Sequence, residues 1–142
     1  MRNICKFILS FVFTLMAVQM MAQNDSTAFH TYLYNKEYNV FMNIDFNHHN
    51  VNIPEHDLYG PVAGYLGIKT STFYWIILSA EVKGKTARLE MVNDYGSEDL
   101  VASLTQVNDS VYKLTQEKGS SIKLPHKNKW MKLPSTLLFN RK

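Results

Sequence analysis

The chain has 142 residues, a formal net charge of +3 and a single cysteine, Cys5. This length suits one domain, which buries roughly two thirds of its unfolded surface and needs no disulfide to hold a core. Without its first 22 residues, which hold Arg2 and Lys6 and no acid, the chain has 13 basic and 12 acidic residues. Nucleic-acid binding requires a dense positive face, so we expect no nucleic-acid partner.

Residues 1–22 have the pattern of an export signal peptide. Arg2 and Lys6 precede an uncharged apolar run from Phe7 to Val18, and Ala22-Gln23 offers a cleavage site. The run is shorter than the about 20 residues of a membrane-spanning helix, so we expect no stable membrane span after cleavage. An uncleaved anchor is the alternative. Cleavage would leave a periplasmic or secreted chain that has no disulfide, no thiolate nucleophile and no cysteine-based zinc site.

Apolar and polar residues alternate through most of residues 40–140, which predicts strands joined by short turns. The expected strands cover residues 40–46, 73–82, 86–92, 100–105, 111–116, 122–124 and 136–140. Trp130 falls in an expected loop between Pro125 and Pro134. The side chains expected to face the interior are bulky: Met42, Phe46, Ile76, Leu78, Leu89, Met91 and Leu104.

These strands predict an all-β fold, a small antiparallel up-and-down barrel in which closure removes exposed edges. A two-sheet β-sandwich is the alternative, because periodicity does not separate the two architectures. We expect residues 39–142 to form a single β domain and residues 23–38 to form an aromatic segment that could add a covering strand. Bulky inward residues favour a filled interior over a cavity for a ligand.

Four segments carry a resemblance to a known group of proteins: Gly60 to Tyr65 (GPVAGY), Asn93 to Leu100 (NDYGSEDL), Lys129 to Pro134 (KWMKLP) and Leu137 to Lys142 (LLFNRK). From Tyr38 onward the chain resembles small exported β-rich proteins of Bacteroidota. This resemblance implies an exported β domain and carries no activity with it. A looser similarity to lipocalin-like barrels rests on architecture alone and implies, as an alternative function, a carrier of apolar small molecules.

The segment from Asn47 to Gly60 is a long loop rich in donors for metal ions, and loops of this length are uncommon unless they are functional or disordered. Imidazole and carboxylate groups suit Zn²⁺, although their spacing matches no metal signature. A polar surface loop is the alternative, and we expect no organic cofactor. The candidate metal ligands are His48, His49, His56 and Asp57.

Aromatic residues supply the second candidate site, because Trp and Tyr are enriched at binding hot spots. If the start of the strand at 73–82 is apolar on both sides, its outward side chains would form an exposed patch. The alternative is that an N-terminal segment holding Phe29, Tyr32, Leu33, Tyr34 and Tyr38 covers this patch. The candidate partner-binding residues are Tyr59, Tyr65, Phe73 and Trp75.

The absence of a recognisable catalytic motif favours an exported, non-catalytic binding or protein-interaction module whose partner is an envelope or host protein. A carrier of apolar ligands and a metal-dependent activity at the histidine-rich loop 47–60 are the alternatives. The sequence specifies no oligomeric state.

Overall fold

The computed structural model describes residues 27–142, and the expected export signal at residues 1–22 lies outside them. These residues form ten β-strands and contain no helix. The strands are β1 (His30–Asn35), β2 (Val40–Asp45), β3 (Gly64–Ile68), β4 (Tyr74–Lys83), β5 (Thr86–Asn93), β6 (Asp99–Gln106), β7 (Val111–Gly119), β8 (Lys123–His126), β9 (Lys129–Lys132) and β10 (Thr136–Arg141).

Eight of the strands close into a barrel in the order β1-β10-β7-β6-β5-β4-β3-β2. Neighbouring strands are antiparallel throughout, and consecutive strands along the chain are neighbours except where β8 and β9 form a separate hairpin between β7 and β10. The predicted antiparallel barrel is therefore confirmed, and the sandwich alternative is wrong. Within residues 27–142 we find no helix with the length and hydropathy that a bilayer crossing demands.

The segment expected to cover the barrel supplies one of its strands instead. β1 pairs with β2 along its whole length, from His30 opposite Asp45 to Asn35 opposite Val40. On its other side, β1 pairs with β10 through Leu33 and Arg141. The β domain thus begins before residue 39, because the first strand is needed to close the sheet.

Large side chains fill the barrel interior, as the sequence predicts. Trp75, Tyr112 and Phe139 are the largest fully buried residues. Met42, Leu89, Met91 and Leu104, which the sequence places inside on β2, β5 and β6, are all buried in this core, as is Phe46 just after β2. The core also buries the neighbouring inward side chains on these strands and on β7: Val40, Ile44, Ala87, Leu100, Ala102, Tyr112 and Leu114.

The predicted face of β4 is wrong. Trp75 and Ile77 point into the barrel core, whereas Ile76 is buried in a second cluster outside it. A β-bulge between Ile77 and Ser79 then leaves Leu78 without a partner on β5, and 42% of Leu78 is exposed. A bulge adds one residue to a strand and so reverses which residues face inward beyond it.

Each end of the barrel is closed by apolar side chains. At the end where β1 begins, the ring of Phe29 stacks on that of Phe46, with centroids 5.5 Å apart, and meets Tyr112 edge-on at 6.1 Å. At the other end, the segment after β7 buries Ile122 and Leu124 in the same core. These closures leave the surface and the rims of the barrel to carry any binding site.

The loop from 47 to 63 covers part of the outer face of the barrel, the position that the N-terminal segment was expected to take. Its residues Val51 and Val62 form a β-bridge, and Val51 packs with Tyr65, Tyr74 and other residues in the outer cluster. Gly67 allows this packing, because a Cβ there would lie 2.6 Å from Cδ1 of Tyr74. Beneath the loop, the outer face of β3 and β4 therefore forms a second small core.

The two tryptophans provide a matched test of this fold. Trp75 is fully buried and its indole Nε1 donates to the carbonyl oxygen of Lys123 at 3.0 Å, whereas Trp130 is 53% exposed. We expect Trp75→Phe to lower the free energy of unfolding by about 1–3 kcal/mol, because it removes the indole hydrogen bond and leaves unfilled space in the core. Trp130→Phe should change it by less than about 0.5 kcal/mol. Urea unfolding measures both, and equal losses would contradict the placement of Trp75.

Candidate functional site

A polar cluster lies at the end of the barrel where β1 begins and β2 ends. Register places His30 directly opposite Asp45, and the chain turns after β2 so that His48 returns to the same carboxylate. The Nδ1 atom of His48 lies 3.0 Å from Oδ2 of Asp45, and Nε2 of His30 lies 3.8 Å from it. Both imidazoles are largely exposed, while the Asp45 side chain is 2% exposed.

The Asp45 carboxylate is stabilised in its charged form. Burial alone would raise its pKa, but the side chain and backbone amide of His48, the charge of His30 and the backbone amide of Asn47 together lower it below the ordinary 3.8. The two amides each donate to Oδ1 at 3.1 Å. Nδ1 of His48 lies near both oxygens, 3.2 Å from Oδ1 and 3.0 Å from Oδ2, and Oδ2 also faces His30.

The predicted metal ligands do not converge. Of His48, His49, His56 and Asp57, only His48 joins a group with metal-binding geometry among residues 27–142, and its companions are His30 and Asp45. His56 lies in the middle of the loop, at the opposite end of the barrel, where its Nε2 is 3.1 Å from the carbonyl oxygen of Thr72. Its Nδ1 is 3.5 Å from the carboxylate of Asp94, so His56 anchors the loop to the barrel.

The predicted aromatic patch is also divided by the fold. Trp75 is inside the barrel, and Tyr65 lies in the outer cluster with Tyr59 packed against it, so neither Trp75 nor Tyr65 forms an exposed surface. Phe73 differs from Trp75 and Tyr65, because two exposed aromatic side chains pack against its ring. The expectation of one exposed patch holding Trp75 is therefore wrong.

The structure replaces that patch with an aromatic cleft at the end of the barrel opposite the polar cluster. The ring centroids of Tyr95 and Trp130 each lie 5.1 Å from that of Phe73, in edge-on geometry. Tyr95 is 73% exposed. The cleft between them holds about 230 Å³, and its polar lining is formed by Asn93, Ser97, Glu98 and Lys123.

Rigid turns hold both exposed rings of the aromatic cleft. Tyr95 lies in the turn from β5 to β6, where Oδ1 of Asn93 accepts the backbone amide of Ser97 at 2.9 Å. Trp130 lies on β9, next to a two-residue turn in which Lys127 and Asn128 both have positive φ, at 50° and 63°. Paired positive φ angles are typical of the tightest hairpin turns. The rings are therefore displayed on ordered backbone.

The sequence contains only part of the signal for this cleft. Trp130 stands out among the lysines of the 123–132 segment, but the distant Tyr95 lies in a segment that reads only as a polar turn. Both rings reach Phe73 only because the barrel brings their two turns to one end. His30 and Asp45 are likewise fifteen positions apart in sequence and meet only through strand register.

No family model, curated protein or solved structure matches the chain. The resemblance to exported β-rich proteins of Bacteroidota therefore stays a prediction.

Because Asp45 is ionised in the folded chain, we expect the protein to lose stability in acid. Because the pKa of its carboxyl is lower in the folded chain, this contribution is complete above the ordinary value of 3.8 and disappears as the pH falls below it. We expect Asp45→Asn to cost about 1–3 kcal/mol at neutral pH and progressively less in acid. Urea unfolding across this pH range measures the difference.

Asp57→Asn is the matched control for this prediction, because Asp57 lies on the exposed side of the same loop. It should leave the pH dependence of stability unchanged. A constant difference between wild type and Asp45→Asn at every pH would contradict the assigned charge state.

Proposed function

We propose that the chain is an exported, non-catalytic protein-interaction module that binds its partner through the aromatic cleft. The observation that carries this proposal is the pair of exposed rings, Tyr95 and Trp130, seated on Phe73. Exposed apolar groups on rigid backbone favour binding, because little conformational entropy is lost when a partner covers them. Tyr and Trp are also the side chains that dominate binding energy at protein interfaces.

The shape of this surface favours a side chain of a partner protein over a free small molecule. A neighbouring hollow of about 620 Å³ shares Phe73, Tyr95 and Trp130 with the cleft of about 230 Å³, so the rings stand on an open surface that a partner could cover. The carrier alternative needs room inside the barrel, and that interior is occupied by Trp75, Tyr112 and Phe139. An inserted aromatic or proline side chain fits both the volume and the three rings.

Charge around the cleft indicates the chemistry of the partner. Lys127, Lys129 and Lys132 are exposed on the hairpin that carries Trp130. Two acids border the rings and each has a basic neighbour: Oε1 of Glu98 lies 3.9 Å from Nζ of Lys123, and Oδ1 of Asp94 lies 3.5 Å from Nδ1 of His56. The hairpin therefore presents a positive surface, and an acidic segment flanking the inserted side chain would complement it.

The N-terminal export pattern supports a partner outside the cytosol. Arg2, Lys6 and the apolar run from Phe7 to Val18 are consistent with delivery to the periplasm or the medium. We accordingly propose an envelope or host protein as the partner.

Selection of a phage-displayed random peptide library on the purified chain tests this function. We expect enriched peptides that combine acidic residues with an aromatic residue or proline. Trp130→Ala and Tyr95→Ala should each weaken their binding at least about tenfold, because hot-spot truncations cost about 2 kcal/mol or more. Affinity should also fall with added salt, since the charge contribution is at the surface. Fluorescence polarisation with labelled peptides measures both effects.

The control is Leu138→Ala on β10, because Leu138 is 53% exposed, as is Trp130, and lies away from the cleft. This variant should bind the selected peptides as wild type does. Failure to enrich any peptide, or equal binding by wild type and Trp130→Ala, would refute the proposal.

A further inference from the structure

We propose that His30, Asp45 and His48 form a binding site for a divalent transition-metal ion, with Zn²⁺ as its simplest occupant. Each residue offers one ligand atom, and the three atoms lie within 4.8 Å of one another. The site takes only His48 from the histidine-rich loop. Its other two ligands come from neighbouring strands, β1 and β2.

The spacing of the donor atoms fits a single ion. In a tetrahedral zinc site, with bonds of about 2.0–2.2 Å, neighbouring ligand atoms lie about 3.3 Å apart. Oδ2 of Asp45 is 3.0 Å from Nδ1 of His48 and 3.8 Å from Nε2 of His30, on either side of that value. Small rotations of the two imidazoles would equalise these distances, and both rings are exposed enough to rotate.

The carboxylate is held in place for this role. Oδ1 of Asp45 accepts the backbone amides of Asn47 and His48, each at 3.1 Å, which orients Oδ2 toward the imidazoles. Hydrogen bonds to the far side of a ligand tune and fix metal sites in this way. Backbone pairing restrains the other side, since Cα of His30 is directly opposite Cα of Asp45. Two of the three ligands are thus positioned by the barrel itself.

The donor set selects the class of metal. Imidazole nitrogens suit Zn²⁺ and its transition-metal neighbours, whereas Ca²⁺ and Mg²⁺ require mostly oxygen ligands. Three protein ligands leave the fourth tetrahedral position for water or for a donor atom of a partner, as in open zinc sites. The exposed imidazoles place that position at the surface.

This site is independent of the aromatic cleft. Asp45 ends β2, while Val40 at the start of β2 pairs with Ile68, next to the turn that carries Phe73. The length of the barrel therefore separates the metal site from the cleft. A failure of either proposal leaves the other standing.

Equilibrium dialysis of the purified chain, made without a histidine tag, against Zn²⁺ tests the site. We expect one bound equivalent per chain. His30→Ala and His48→Ala should each raise the dissociation constant at least about tenfold, because each removes one of three ligands. In parallel, zinc should shift the NMR signals of the His30 and His48 rings, and excess Ca²⁺ or Mg²⁺ should not displace it.

Two other histidines serve as matched controls. His49→Ala removes the neighbouring imidazole of the loop, and His126→Ala removes one on the distant hairpin, so both should bind zinc as wild type does. Circular dichroism confirms that each variant is folded. No stoichiometric zinc in the wild type, unchanged affinity in His30→Ala, or an equal loss in His49→Ala would overturn the assignment.

Discussion

The structure depends on closure of the sheet between its first and last strands. β1 and β10 meet where Leu33 pairs with Arg141, and without this seam both strands would expose unpaired backbone groups to water and to other chains. Closure also encloses the bulky side chains that fill the interior. On its other side β1 pairs with β2 as a hairpin, and the register of this hairpin brings His30 opposite Asp45. The strand that completes the seam therefore also carries one side chain of the polar cluster.

Alternation of apolar and polar residues predicts most of the barrel because most strands have one face in the core and one in water. β3 shows no such alternation. All five of its residues are buried, and two of them, Gly64 and Gly67, have low β propensity. The sequence does not indicate the β8–β9 hairpin for another reason. Its turn has Lys127 and Asn128 at positive φ, where glycine would be the usual sequence signal.

The face of β4 is predicted wrongly for a physical reason that the alternation of apolar and polar residues does not reveal. Tyr74 and Ile76 are as apolar as Trp75 and Ile77, because the outer face of this strand is covered by the 47–63 loop. With both faces buried, composition does not distinguish inside from outside. The bulge at Leu78 then shifts the later residues by one, so the apparent face running through the whole strand joins residues that face opposite ways.

The sequence predicts the chemical type of each candidate site, but it does not predict which residues come together to form the site. Histidines and a carboxylate near residue 48 indicate metal binding, yet the partners of His48 are chosen by the register of β1 against β2. Trp130 is visible in the sequence as an aromatic residue among lysines, yet Tyr95 joins it at Phe73 only because two turns meet at one end of the barrel. Because the interior is filled, side chains that are not needed for core packing are found mainly at the rims. Both candidate sites lie at rims, where loop residues are held by a rigid sheet and remain free to bind.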